Sequence, residues 1–395
     1  MSDNLEKALL PAGMRDVLAP DAEYEASVVE RLMTAFARHG YERVKPPLLE
    51  FEDGLLAGSG QAMATQTFRL MDPVSHRMVA VRPDMTLQVA RIAATRLTER
   101  ARPLRLSYAG QVLRVKGSQL RPSRQFGQVG AELIGSAAPA ADAEVILMAA
   151  EALAEIGIPN LTVDLGIPTL VPAVLSKIPM SADGHARVRQ ALDRKDVAAV
   201  KSLESVLGGT VAVLARLLDA GGPAVDGLKA LSALDLGAAA KAERDALAEV
   251  AALVGAGAKA LGLDKLRLTV DPVENRGFEY HTGVTFTFFA EGVRGELGSG
   301  GRYRAGNGAS DGEPATGLTL FMDTIIEVVP PPVAPRRLFL PAGTPPERRR
   351  EFQEGCWITV SGLDKDEDTI AAARRLGCDH VLIDGRIETV AGDRR

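Results

Sequence analysis

The chain has 395 residues, 46% hydrophobic and 25% charged, with a net charge of -5, a pI near 5.7 and a mean hydropathy of +0.04; this ordinary globular usage excludes a disordered chain and a membrane protein and suits two or three domains. The acidic balance denies the chain as a whole the basic excess with which generic nucleic-acid binders meet phosphate. Two cysteines, Cys356 and Cys378, make no zinc-ligand pair and five histidines are scattered, so no disulfide framework, metal or cofactor is expected.

Met1 to Lys7 carries no apolar signal core, and the apolar stretches Val145 to Ala150 and Val250 to Ala258 end at Glu151 and Lys259, well short of the roughly 18 residues that span a bilayer. The expected location is the cytoplasm. From Asp21 to Arg38, Val28, Leu32, Ala35 and Phe36 recur on one face of a helix that His39-Gly40 closes. Tyr41 to Phe51 holds Pro46 and Pro47, whose missing N–H groups suit an edge or interface strand. Strands are predicted at Met78 to Val81 and Leu104 to Val115, the second turning through polar Lys116 to Ser123 into Arg124 to Ile134 as a long hairpin.

Alanine-rich helix follows from Ala138 to Ile156 and again between Pro168 and Leu261, the latter as an inserted helical subdomain. Arg267 to Val270, Thr282 to Phe289 and Gly317 to Met322 return to strand-like patterning. Pro330, Pro331, Pro332 and Pro335 form a stiff linker into a short tail of Leu338 to Leu340, helical Asp366 to Leu376 and His380 to Ile383. The expected architecture is α+β: a mixed sheet flanked by helices over residues 1–330, with an insertion at about 168–263, then a linker and small α/β segment over 331–395.

Four segments could carry chemistry. In Val81-Arg82-Pro83-Asp84-Met85-Thr86 a strand ends in a proline turn, and Asp84 and Thr86 either hold an ammonium group or cap the next helix. In the hairpin, Arg114 precedes Gln128 and Glu132, which strand alternation puts on one face, as ligand readers or as partners in cross-strand ion pairs. Arg276 to Gly283 sets an arginine fork, suited to a carboxylate, beside Tyr280 and His281; a buried ion pair and structural rings are the alternative. Gly298 to Tyr303 supplies glycines that either admit a ligand close to the backbone or make a turn. Two basic clusters, Arg114 with Lys116, Arg121 and Arg124, and Arg348 to Arg350, read as solvated faces.

In chain order these segments resemble the class II aminoacyl-tRNA synthetase core, specifically the histidyl-tRNA synthetase family, from about Leu10 to Glu327. Leu10 to Asp16 is similar to the family's opening Pro-x-Gly-x-x-Asp; Lys45-Pro46-Pro47 to motif 1 at a dimer interface; Leu113-Arg114 and Arg124-Gln125-Phe126 to motif 2. The Arg82 to Thr86, Arg276-Gly277 and Gly300 to Tyr303 segments are similar to its histidine-specific elements. The resemblance implies that Asp84, Thr86 and Gln128 hold the ammonium of L-histidine, Glu132 its imidazole and Arg276 its carboxylate, with Arg114, Tyr280 and His281 completing the site. His281 stands where the family has tyrosine, and its ring can donate or accept according to tautomer.

The departures concern ATP. Where the family's motif 2 has Phe-Arg-x-Glu, this chain has Leu113-Arg114-Val115-Lys116, and Phe321 and Thr324 replace the glycine and arginine of motif 3. Losing one well-placed transition-state donor costs about 2.7–4 kcal/mol, so no catalytic residues and no adenylation are expected; the alternative reading is a divergent histidyl-tRNA synthetase that places ATP with other residues, or a tRNA-binding scaffold. The region 336–395 is also shorter than a synthetase's anticodon-binding domain, and tRNA recognition is not expected. This combination resembles the non-catalytic branch of the family, the regulatory subunits of ATP phosphoribosyltransferase. It implies a self-dimer through the class II core, a hetero-octamer with a short catalytic subunit, activation of that subunit and feedback inhibition by histidine in the first step of histidine biosynthesis.

Overall fold

A computed structural model describes residues 9–56, 63–118, 121–274, 280–306, 312–331, 335–364 and 368–390. These fall into two compact units, residues 1–330 and 331–395.

Helix α1 (Asp21–Arg38) buries Val28, Leu32, Met33, Ala35 and Phe36, the stripe its periodicity predicts. β1 (Glu42–Arg43) follows, then β2 (Leu49–Phe51), β3 (Arg69–Met71) and β4 (Met78–Val81), which make a small antiparallel sheet in the order β2-β4-β3. Pro46 and Pro47 lie between β1 and β2 rather than within a strand, where neither has to donate to a ladder. Their carbonyls are used instead, accepting from Arg82 Nη1 at 3.1 Å and Gln88 Nε2 at 2.8 Å.

Helix α2 (Thr86–Arg96) leads to β5 (Leu104–Leu113) and β6 (Gln125–Ile134), the predicted hairpin, paired from Leu104 opposite Ile134 to Leu113 opposite Gln125. Helix α3 (Pro139–Glu155) starts with proline, whose missing N–H costs nothing in a first turn. β7 (Thr162–Gly166) precedes a run of helices that includes α4 (Leu170–Leu175) and α5 (Ala182–Asp193), the two-residue β8 (Gly222–Pro223) and the long α6 (Ala238–Ala260). β9 (Arg267–Asp271), β10 (Thr285–Phe289), β11 (Gly298–Ala305) and β12 (Glu313–Phe321) complete a nine-stranded sheet in the order β1-β5-β6-β12-β11-β10-β7-β9-β8. The pairs β1–β5 and β7–β9 are parallel; the others are antiparallel.

Alternation gives this sheet two unlike faces. Val129, Ala131 and Leu133 of β6, Leu318 and Leu320 of β12, Phe286 and Phe288 of β10 and Val163 and Leu165 of β7 join one core with α1, α3 and α6. The intervening positions face the other way and are small or polar. Register aligns Glu132, Gly317, Gly301, Thr285 and Gly166 in one row across five strands, and Gly130, Thr319, Ser299, Thr287 and Asp164 in the next. On the β5 side this second face is closed by Met85 and α2, whose Val89, Ala90 and Ala93 pack with Leu104, Leu106 and Tyr108. The result is a mostly buried, trench-like row of glycine and threonine bordered by Met85 and α2.

The second unit contains β13 (Arg337–Leu340), helix α7 (Pro346–Glu354), β14 (Ile358–Ser361), helix α8 (Thr369–Arg375), β15 (His380–Ile383) and β16 (Arg386–Thr389), in the sheet order β14-β13-β15-β16. Sequence patterning found β13, α8 and β15 but not α7, β14 or β16; all four residues of β16 are exposed, so no apolar alternation marks them.

Candidate ligand-binding site

Glu132 lies at the centre of the trench with no exposed surface. Tyr108 Oη donates to its Oε1 at 3.1 Å and Tyr303 Oη to its Oε2 at 2.9 Å. Burial pushes the carboxyl up from its ordinary 4.5 to about 8, against the opposing pull of the Tyr303, Thr86 and Tyr108 hydroxyls and with a further push from Asp84. Both phenols are held well above their ordinary range, first by burial and then by the Glu132 charge, so they remain donors. Glycine makes the space: a Cβ on Gly130 would fall 2.3 Å from the Tyr108 ring and one on Gly317 2.2 Å from Glu132 Oε2.

At one end of the trench Asp84 does two things. Its Oδ1 accepts the Thr86 N–H at 2.8 Å in a local turn just ahead of α2, whose N-cap position is Met85 with no side-chain cap bond, while Oδ2 accepts Gln128 Nε2 at 2.8 Å. Gln128, itself fully buried, accepts the Met85 N–H on Oε1 at 3.1 Å. Thr86 Oγ1 lies 3.1 Å from Tyr108 Oη, which lies 3.2 Å from Thr319 Oγ1. A continuous polar chain therefore runs from Asp84 and Thr86 through Tyr108 to Glu132.

At the opposite wall Tyr280, 43% exposed, stacks at 4.0 Å on His281, which is buried over Gly301, and meets the Tyr303 ring edge-on at 6.3 Å. Asp84, Thr86, Gln128, Glu132, Tyr280 and His281 thus come to one trench, and Arg276 lies outside the described residues. Arg114 is partly buried beside the Asp84 turn: Nε donates to Pro83 O at 3.3 Å, and its guanidinium lies 5.1 Å over Phe126.

Arg114 and Arg121 correct the reading of their cluster as a solvated face. Arg121, with a side chain only 12% exposed, lies 3.7 Å over the Phe321 ring, pairs Nε with Asp323 Oδ2 at 3.0 Å and reaches Thr324 Oγ1 at 3.4 Å. Burial lowers the basicity of Arg114 and raises the Glu296 carboxyl, each opposed by the opposite charges of the group. The two positions where the resemblance marks a missing phosphate clamp, Phe321 and Thr324, are thus occupied from within the chain by a guanidinium.

Sequence reading missed Tyr108 and Thr319, and put Tyr303 in a candidate segment without a role of its own. The glycines at 130 and 317 were the available signal, because each leaves room for a neighbour's side chain, but the neighbour depends on register. Arg302, in the same glycine segment as Tyr303, serves structure: it bonds Asp142 and the carbonyls of Ser136 and Ala138 at the start of α3. Among the described residues no three metal-ligating side chains are placed to hold an ion, and no helix is long and apolar enough to cross a membrane. Chemically, the trench offers a buried acceptor for a ring N–H and a carboxylate–amide–hydroxyl set for an ammonium.

The family model described as histidyl-tRNA synthetase matches residues 13–325. The chain is 57% identical over 383 residues to an ATP phosphoribosyltransferase regulatory subunit of Rhodospirillum centenum, covering 97% of this chain and 96% of that one. It is 56% identical over 390 residues to that of Paramagnetospirillum magneticum, covering 98% and 100%. In fold it is similar to a solved ATP phosphoribosyltransferase regulatory subunit/histidyl-tRNA synthetase from Bacillus halodurans, with a TM-score of 0.77 at 23% identity over 93% of this chain and 96% of that one.

Proposed function

Since the chain belongs to the ATP phosphoribosyltransferase regulatory subunit family and is a non-catalytic regulatory subunit of that enzyme in histidine biosynthesis, we propose that its trench binds free L-histidine and that occupancy restrains the catalytic subunit. The observation that carries this reading is the Glu132 carboxyl, fully buried at the floor of a glycine row and fixed by two phenols. A ring lying on that row meets Glu132, whose carboxyl, raised to about 8 by burial, can donate to an imidazole nitrogen or accept from a ring N–H. Both of its oxygens already accept from phenols, so a phenyl ring would forgo the further hydrogen bond that an imidazole makes with this carboxyl, worth about 0.5–1.5 kcal/mol, which selects imidazole over phenyl.

Asp84, Gln128 and Thr86 receive the ammonium, Tyr280 and His281 cover the ring, and Arg276 takes the carboxylate with its planar fork. Arg114 supports the turn through Pro83 O and adds positive charge behind it. The complex is read as a hetero-octamer of this chain, self-paired through its class II core, with a short-form catalytic subunit in the cytoplasm. Feedback then requires that histidine bind the restrained state of the complex more tightly than the active one.

Calorimetric titration of the purified chain tests the pocket. Saturable binding of L-histidine and none of L-phenylalanine is expected; equal binding of both, or of neither, contradicts it.

A further inference from the structure

Arg82 is 7% exposed, yet its side-chain hydrogen bonds run to backbone carbonyls: Nε donates to Gln111 O at 2.8 Å and Nη1 to Pro46 O at 3.1 Å. Its backbone repeats the pattern, with the N–H bonded to Leu48 O at 3.1 Å and its own carbonyl accepting the Leu113 N–H at 3.1 Å. One residue thus ties the 46–48 segment and the end of β5 to the turn that carries Asp84 and Thr86. Gly110 is shaped around it, since a Cβ there would fall 2.5 Å from Arg82 Nη2.

A buried guanidinium is costly to desolvate, and a methionine would fill similar volume without that penalty. What methionine lacks is the planar fork that reaches acceptors on two segments at once. A second strut runs in parallel: Gln88 of α2 donates to Pro47 O at 2.8 Å and to Glu50 Oε1 at 2.9 Å.

We propose that Arg82 is the positioning residue of the ammonium end of the pocket, holding Asp84 and Thr86 where they can meet a ligand amino group. The proposal rests on the histidine reading above. It separates two halves of the trench: the floor at Glu132 is built by β5, β6, β11 and β12 without Arg82, whereas the Asp84 turn, which Gln128 and Arg114 hold from the hairpin side, is tied to the 46–48 segment and the end of β5 through Arg82.

The test compares L-histidine with 3-(imidazol-4-yl)propionate, which keeps ring and carboxylate but lacks the amino group, by calorimetry on the full chain. Wild type is expected to favour L-histidine by about tenfold to a hundredfold. Arg82→Met should lose most of that preference while holding the des-amino compound within about twofold, and Arg82→Lys should recover part of it. Gly110→Ala, whose Cβ would meet Arg82 Nη2 at 2.5 Å and Met85 Sδ at 3.2 Å, should lose part of the preference in the same direction and serves if Arg82→Met does not fold. Retained preference in Arg82→Met or Gly110→Ala overturns the proposal, and equal weakening of both ligands makes Arg82 merely structural and overturns it too. A wild-type chain that binds neither compound, or both alike, overturns the histidine reading itself and this proposal with it.

Discussion

Gly317 lies directly opposite Glu132 across the β6–β12 ladder, and its missing side chain is the space the carboxylate occupies: a Cβ there would lie 2.2 Å from Glu132 Oε2. Gly317→Ala must therefore displace the carboxylate from its two phenols. Overpacking of this kind costs about 1–3 kcal/mol, read by denaturant unfolding. L-histidine affinity should fall about tenfold or more; unchanged affinity would mean that Glu132 does not contact the ligand.

Glu132→Ala removes a pocket acceptor and no exposed area. Histidine affinity should weaken by about tenfold to a hundredfold, while co-purification with the catalytic subunit stays as in wild type. A calorimetric isotherm matching wild type would show the pocket assignment to be wrong.

The same residue makes a pH prediction for the ligand-free chain. Its carboxyl titrates near 8 in the folded protein against an ordinary 4.5, so the folded chain binds this proton more tightly than the unfolded one. The associated stability is fully present below about pH 4.5 and is lost as pH rises through about 8. Thermal unfolding across that window should show wild type losing stability relative to Glu132→Gln as pH rises. Parallel curves for the two proteins would contradict the buried-acid account.

Arg121 closes the neighbouring space with Asp323 and Phe321. Removing one partner of a mostly buried ion pair costs about 3–5 kcal/mol, so Arg121→Ala should be clearly destabilised. It should gain no ATP-dependent pyrophosphate exchange, because Lys116, Phe321 and Thr324 remain. Exchange activity in either wild type or Arg121→Ala would return the chain to the catalytic branch of the synthetases.

Arg276 is proposed to meet the ligand carboxylate. Arg276→Ala should weaken L-histidine by about tenfold or more and leave histidinamide, which carries no carboxylate, nearly unchanged. Competition titrations of the two ligands read the difference directly, and equal losses would remove Arg276 from that role.

Much of this arrangement was legible because alternation is a local property. Thr285-Phe286-Thr287-Phe288 and Gln128 to Leu133 each announce one apolar and one polar face, and the structure turns them as the period requires. Gln128 and Glu132, two pairs apart on β6, had to share a face. Tyr108 and Tyr303 could not be read in the same way, because their target is set by register: Tyr303 reaches Glu132 from 171 residues away. The buried Arg121 was misread as solvated for a related reason. A cationic loop looks alike in or out of water until Phe321 and Asp323 are brought beneath it.

The most direct test of the whole account is the rate of phosphoribosyl transfer by a short ATP phosphoribosyltransferase catalytic subunit, reconstituted with this chain and titrated with L-histidine. The account predicts that wild-type chain raises the rate and makes it fall with histidine, and that Glu132→Ala chain raises it equally but leaves it insensitive over the same range. Histidine inhibition of the same strength with Glu132→Ala chain would contradict it.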